Sequence, residues 1–312
     1  MRKEVKMKRF IRILVIAFVL MVPIKAQAKG EYFIAHRGLS GIYPDNTMIA
    51  VKASLDNPKV KAIAIDPRLT ADKKLVLCHD DSVKKYTGKN ILISRSICSD
   101  ITSMHYSQRF LNRKYGKRKF NSKDVRFATL DEAVKAVATY NKKHPKSRKR
   151  IYIKLSHDVS DVSGYAKAIS RSLVVNKVDP SDVVFWGMGI PFLENMYIYS
   201  TPKQKRHCTY EICMWTYDVD ALEDNVQKML SIKRKSVLKN ANLALYIWGC
   251  GYQNDLFSDI TERKRIKISL NKLRKSGIDI VYGRLEGLPK DNARTIANLS
   301  KLGIKKIVTT GV

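Results

Sequence analysis

The chain has 312 residues, 59 Lys and Arg against 28 Asp and Glu, a formal net charge of +31, and 45% apolar residues. That length and apolar share exclude a disordered tail or a small stapled scaffold and fit one large α/β domain. Five cysteines without a C-x-x-C pair argue against a zinc site, and the positive surplus points to anionic partners; no basic run is interleaved with aromatics, so no specific nucleic acid is expected.

Residues 1–28 read as an export signal. Arg2, Lys3, Lys6, Lys8 and Arg9 form a basic start, and residues 13–22 are an unbroken apolar run ended by Pro23. That run is too short to span a bilayer, and Ala26-Gln27-Ala28 supplies a small-x-small cleavage pattern. The expected mature chain is 29–312, exported by a bacterium and secreted or held at the cell surface; an uncleaved anchor is the alternative. Its charge of about +25 would draw it to anionic lipid headgroups, a membrane surface or anionic cell-wall polymers.

Strand-like runs rich in Ile and Val follow at residues 32–35, 62–66, 151–155, 183–186, 209–214, 243–248, 278–282 and 306–309. Helical periodicity lies between them at 129–140, 165–175, 222–235, 261–274 and 292–302, and Thr129 with Glu132 forms a capping box. Eight such units over this length predict a TIM-type (β/α)8 barrel rather than an open doubly wound sheet. Residues 82–126 break the rhythm. They are polar and basic, and read as a long loop insertion after strand 2 that forms part of the substrate mouth, or else as a disordered surface loop. Cys208 and Cys213 would point to opposite faces of a straight strand and could pair only across a bend.

Two apolar runs each deliver a histidine. Phe33-Ile34-Ala35 precedes His36, and Leu75-Val76-Leu77-Cys78 precedes His79. Two histidines brought together can divide acid and base work, as cleavage of a phosphodiester requires. His105, His144 and His207 fit no site pattern; His157-Asp158, after the third strand, reads mainly as a solvated pair. Trp186, Trp215 and Trp248 fall at or near strand ends and read as core packing, or as the lining of a lipid or glycerol site.

Several motifs occur in a fixed order: His36-Arg37-Gly38, Pro44-Asp45-Asn46-Thr47, Asp66-x-Arg68-Leu69-Thr70, His79-Asp80-Asp81 and Phe127-Ala128-Thr129-Leu130-Asp131-Glu132. Together they resemble the glycerophosphodiester phosphodiesterase family, closely from Ile34 to Glu132 and more faintly beyond. The resemblance implies a TIM barrel that hydrolyses glycerophosphodiesters to glycerol 3-phosphate and an alcohol. It makes His36 and His79 the acid/base pair and Arg37 the phosphate-binding residue, whose fork can hold two oxygens at once. It also implies a divalent cation, calcium or magnesium, held by an E-x-D pair and a glutamate on the third strand.

The sequence departs from that pattern at the metal. The E-x-D pair reads Ala64-Ile65-Asp66, and Lys154 stands where the third-strand glutamate should be. Asp45 shortens the glutamate of the second motif, and the family's final T-D reads Thr309-Thr310. Asp66 alone remains as a ligand, too few for a cation that wants several oxygens, so no metal cofactor is expected. Alternation on the third strand turns Ile153 and Leu155 towards the helices and Lys154 inward beside Asp66. In one reading the Lys154 ammonium takes the cation's place at the substrate phosphate; the related bacterial phosphatidylinositol phospholipases C resemble this case, working without metal and with an arginine near the vacated site. In the other the barrel is an inactive pseudoenzyme that binds anionic headgroups or wall polymers. A weaker third reading is general polyanion binding.

Overall fold

Eight strands close into a barrel in the computed structural model, which describes residues 32–156, 158–215, 218–248, 260–285 and 293–312. Residues 1–28, where an export signal is expected, and Cys250 lie outside the described residues. In chain order the strands are β1 (Tyr32–His36), β2 (Val60–Ile65), β3 (Pro67–Leu69), β4 (Leu75–Leu77), β5 (Arg150–Lys154), β6 (Val183–Gly187), β7 (Thr209–Trp215), β8 (Asn242–Trp248), β9 (Asp279–Leu285) and β10 (Lys306–Thr309). The barrel runs β1-β10-β9-β8-β7-β6-β5-β2, and β3 with β4 forms a separate two-stranded hairpin. Every barrel pairing is parallel. All strands therefore finish at one end, here termed the mouth, and start at the other, the floor.

Period-two alternation sorts the strand residues. Ile151, Ile153 and Leu155 join the helix-facing core, while Tyr152 joins the lumen with Ile34, Val184 and Tyr246. The outer layer closes because the helices present apolar stripes to these strands. The helix Leu130–Lys143 starts at the expected capping box, with Thr129 and Glu132 bonding reciprocally. The described cysteines are free; Cys208 sits in the helix-facing core and Cys213 in the lumen, on opposite faces of the β7 segment. Among the described residues no helix is long and apolar enough to cross a membrane.

The segment between His79 and β5 departs from the expected loop. It folds into short helices Lys84–Thr87, Cys98–Thr102 and Gln108–Tyr115. These carry their own core, in which Tyr86, Tyr106 and Phe127 pack edge to face or tilted at 4.8–5.8 Å between ring centroids. Each such ring contributes about 1.5–3 kcal/mol by burial, so the segment orders around an apolar cluster of its own.

Candidate active site

The mouth is assembled from the turn after β1. Arg37, Gly38 and Leu39 all have positive φ, 51°, 76° and 63°. At Gly38 a Cβ would lie 2.6 Å from the Ala50 Cβ, so only glycine lets the helix Met48–Asp56 seat against this turn. Arg37 itself holds a left-handed conformation that costs a non-glycine residue about 1 kcal/mol. Two ion pairs fix it: Nε lies 3.0 Å from Asp66 Oδ2, without hydrogen-bond alignment, and an Nη lies 3.6 Å from Asp45 Oδ2. His36, the last residue of β1, is buried and has Ser40 Oγ 3.4 Å from its Nδ1.

Asp66 follows β2 and is 2% exposed. Asn46 grips it twice: the amide donates to Oδ2 at 2.9 Å, and its oxygen accepts from the Asp66 backbone N–H at 3.0 Å. Asn46 can do so because its backbone is left-handed, φ 59°, a conformation asparagine tolerates. Thr47 then caps the helix Met48–Asp56. Burial alone would raise the Asp66 carboxyl, but Arg37 first, then Lys154, then the two histidines outweigh it and hold it well below the usual carboxylate range.

Lys154 ends β5 and points into the mouth. Its Nζ lies 3.9 Å from Asp66 Oδ1 and 3.3 Å from His79 Nε2, and it sits over the Trp186 ring at 5.8 Å from the centroid. His79 lies beside it, but not at the end of a barrel strand. The apolar run before it forms β4 of the hairpin, and the hairpin folds His79 back over the mouth. Its Nδ1 pairs with Asp80 Oδ1 at 2.7 Å. Burial, then Arg37 and Lys154, lower its pKa against the opposing pull of Asp66 and Asp80.

The five residues singled out from the sequence, His36, Arg37, Asp66, His79 and Lys154, thus gather at one mouth. Both histidines act electrostatically on the same Asp66 carboxylate. Of the remaining candidates, Trp186 adjoins the site with Lys154 over its ring, while His105 and His144 stay apart. His105 and His144 are exposed and bond to backbone carbonyls, and Trp186 packs in the lumen against Tyr246. His157 and the side chains of Trp215 and Trp248 lie outside the described residues.

Residues 36–270 match the profile of the glycerophosphoryl diester phosphodiesterase family. The chain belongs to that family. It is 25% identical over 141 residues to a glycerophosphodiester phosphodiesterase of Bacillus subtilis, a match covering 43% of this chain and 48% of that protein. The chain therefore spans about half the length of that curated relative. Its fold superposes on a glycerophosphodiester phosphodiesterase of Agrobacterium tumefaciens with a TM-score of 0.60 at 15% identity, covering 90% of this chain and 96% of the other. A phosphodiesterase of Oleispira antarctica, solved with the product sn-glycerol-3-phosphate, superposes with a TM-score of 0.61 at 13% identity, covering 89% and 92%. At these identities the superpositions speak for the shared barrel.

The residues present at the mouth do not fit the divalent cation that the family resemblance implies. Asp66 Oδ2 is occupied by Asn46 and Arg37, and Oδ1 faces an ammonium. Ala64, where the paired glutamate should be, is a buried methyl in the lumen. Among the described residues no three His, Cys, Asp or Glu side chains converge as a metal cluster.

Two supports of the mouth carried no role in the sequence reading. Arg68 donates from Nε to the His79 carbonyl at 3.1 Å, bonds the same carbonyl through an Nη, and pairs with Asp158 at 2.5 Å. Asp45, fully buried, accepts from Lys114 at 2.9 Å, Tyr86 at 3.2 Å and Tyr115 at 3.3 Å while facing Arg37. Tyr106 donates to its carbonyl at 3.0 Å. Both residues stand inside quoted motifs, which was the available signal; their partners, distant in sequence, were not visible.

Proposed function

We propose that the protein hydrolyses a glycerophosphodiester or a related lipid-headgroup phosphodiester, and that it does so without a divalent cation. The observation that carries this reading is Lys154 Nζ between Asp66 Oδ1 and His79 Nε2, at 3.9 and 3.3 Å. Arg37, pinned by Asp45 and Asp66, is oriented before substrate arrives and clamps the phosphate oxygens. The Lys154 ammonium offsets the charge that builds on those oxygens as the phosphorus is attacked. Asp80 accepts from His79 Nδ1–H, which leaves the lone pair on Nε2. The depressed pKa of His79 keeps that nitrogen neutral near pH 7. His79 takes the proton of the attacking water, the new P–O bond forms as the P–O bond to the alcohol breaks, and His36 returns a proton to the departing oxygen. The products are a phosphomonoester and an alcohol. The signal read in residues 1–28 would deliver this activity to the cell surface or the medium.

A second reading rests on the same contact. Where Lys154 bonds His79 Nε2, it occupies the lone pair that the base needs, and the mouth then binds an anionic headgroup or wall polymer without turnover. The test is hydrolysis of glycerophosphocholine, glycerophosphoethanolamine and glycerophosphoglycerol with and without EDTA. We expect turnover that EDTA leaves unchanged and that His79→Ala lowers about 10²–10⁴-fold. Turnover abolished by EDTA would sink the metal-free account. Calorimetric binding of sn-glycerol-3-phosphate with no hydrolysis of any diester would select the non-catalytic reading.

A further inference from the structure

The floor of the barrel carries a charge that the mouth does not explain. The seven described connections that lead into barrel strands there are residues 56–61, 142–150, 174–183, 200–208, 233–241, 272–279 and 301–306. Over these ranges they hold twenty-two Lys and Arg and four Asp. That is a net +18 of the chain's formal +31. Cations in the last turn of a helix are expected from the helix dipole, one or two per helix. The dipole does not account for the near absence of acids from the connections themselves. Three of the four aspartates are already engaged, Asp179 and Asp182 by Arg148 and Asp279 by Lys306.

The same end also exposes aliphatic side chains. Of the seven large apolar residues most exposed among the described residues, four lie at the floor: Val174 at 55%, Val175 at 66%, Ile198 at 51% and Val237 at 50%. Val174 and Val175 end the helix Val162–Val175, Ile198 lies one residue from the end of Ile190–Tyr199, and Val237 opens the turn Val237–Asn240. Those elements are successive around the barrel, and Ser236 donates to Glu194 at 2.7 Å between the second and third. Tyr197 and Tyr199 lie in the same arc, each under a lysine ammonium, Lys205 at 5.4 Å and Lys167 at 4.8 Å from the ring centroids. Aliphatic tips, tyrosines and long cationic side chains together suit a bilayer interface, where the tips enter the headgroup layer and the ammonium groups meet lipid phosphates. A soluble polyanion would satisfy the cations and leave the aliphatic tips in water.

We infer that the floor of the barrel docks on an anionic phospholipid membrane, through the aliphatic arc at Val174, Val175, Ile198 and Val237 and the cations around it. The inference is independent of catalysis at the mouth.

The test is co-sedimentation of the full chain with vesicles of phosphatidylcholine alone or with about 30% phosphatidylglycerol, in about 0.1 M salt, where exposed charges act over roughly 10 Å. Residues 1–31 are common to all variants, so differences belong to the barrel. We expect binding to the anionic vesicles. Val174→Ser, Val175→Ser, Ile198→Ser and Val237→Ser combined should weaken it at least 10-fold with no change in net charge. Lys203→Gln, Lys205→Gln, Arg206→Gln and Lys239→Gln combined should weaken it as much. All these residues are at least partly exposed, and unchanged thermal unfolding checks that the variants fold. Charge changes in the insertion, Lys117→Gln, Arg118→Gln and Lys119→Gln, should leave vesicle binding within 2-fold. Binding that ignores the serine variant and is competed by soluble polyphosphate would overturn the membrane in favour of a polyanion. Binding that follows the insertion rather than the floor, or no binding at all, would also overturn it.

Discussion

Asp66 at the mouth and Glu211 at the floor are buried alike, 2% and 1% exposed, yet their carboxyl groups move in opposite directions. Asp66 is pulled well below the usual carboxylate range, against its burial, by Arg37 and Lys154. Glu211, in the lumen on β7, is pushed up to about 8 by burial, which Lys306 and Arg150 only partly oppose. The difference is contact. Asp66 has Arg37 at 3.0 Å and an amide bond at 2.9 Å, whereas neither Glu211 oxygen has a hydrogen-bond partner among the described residues. The Tyr32 hydroxyl and Arg150 Nε, which share the Glu211 environment, also lack one. Burial sets the size of the electrostatic stakes, and short polar contacts decide their sign.

The contrast can be broken at either end. Asp66→Ala should have the largest effect, because it removes the carboxylate that Arg37 and Lys154 share and leaves Arg37 only the more distant Asp45. A loss of about 3–5 kcal/mol is expected, read as a lower urea midpoint at unchanged slope. If the variant unfolds like the parent, Asp66 is not the counter-ion described.

Glu211→Gln should do the reverse, and the sign follows from the raised pKa. The folded protein keeps a proton on Glu211 that the unfolded chain loses near 4.5, so the contribution is fully present below that pH and is lost as pH rises to about 8. His79, whose pKa is lowered, slopes the other way below its ordinary value near 6.5, so the clean window is pH 7 to 8. There the parent should lose stability relative to the variant as pH rises; Lys149, lowered to about 8 by burial, adds the same opposite slope to both. By pH 8.5 the variant should be more stable, by an amount on the order of a few kcal/mol. Parallel pH profiles would mean that water or an ion already serves Glu211.

Arg37→Lys keeps the charge and removes the two-pronged contact, and should weaken binding of sn-glycerol-3-phosphate by about 10-fold, or ~1.4 kcal/mol. The smallest effect is expected from Tyr32→Phe. It removes a hydroxyl that has no partner, so thermal unfolding should shift by less than about 1 kcal/mol equivalent and in the stabilising direction.

The barrel itself was legible because each of its strands is a short, mainly apolar run set between helical patterns, and the eight runs fall within a few residues of the observed strands. The inward turn of Lys154 followed from alternation with Ile153 and Leu155. The hairpin β3–β4 was not legible, since three-residue strands are too short for a periodic signal, and His79 therefore read as the end of an ordinary strand. The helices Lys84–Thr87 and Cys98–Thr102 were hidden for the same reason, whereas Gln108–Tyr115 carries an apolar stripe of Phe110, Leu111 and Tyr115 that could have been found. Glu211 could have been found. It is a lone acid in Thr-Tyr-Glu-Ile-Cys-Met-Trp, on the face that alternation shares with Cys213.

Asp45 gives the insertion a thermodynamic hold on the proposed phosphate site. Lys114, Tyr86, Tyr106 and Tyr115 meet at one buried residue that also faces Arg37. Local opening of this small aromatic module would unpin the guanidinium, so a ligand clamped by Arg37 must in turn slow the module's opening. Amide hydrogen exchange in Gln108–Tyr115 should therefore slow when sn-glycerol-3-phosphate occupies the mouth, although the ligand touches none of those amides. With Asp45→Ala that coupling should vanish. The insertion would then report ligand occupancy in the time domain of exchange, from the far side of a single carboxylate.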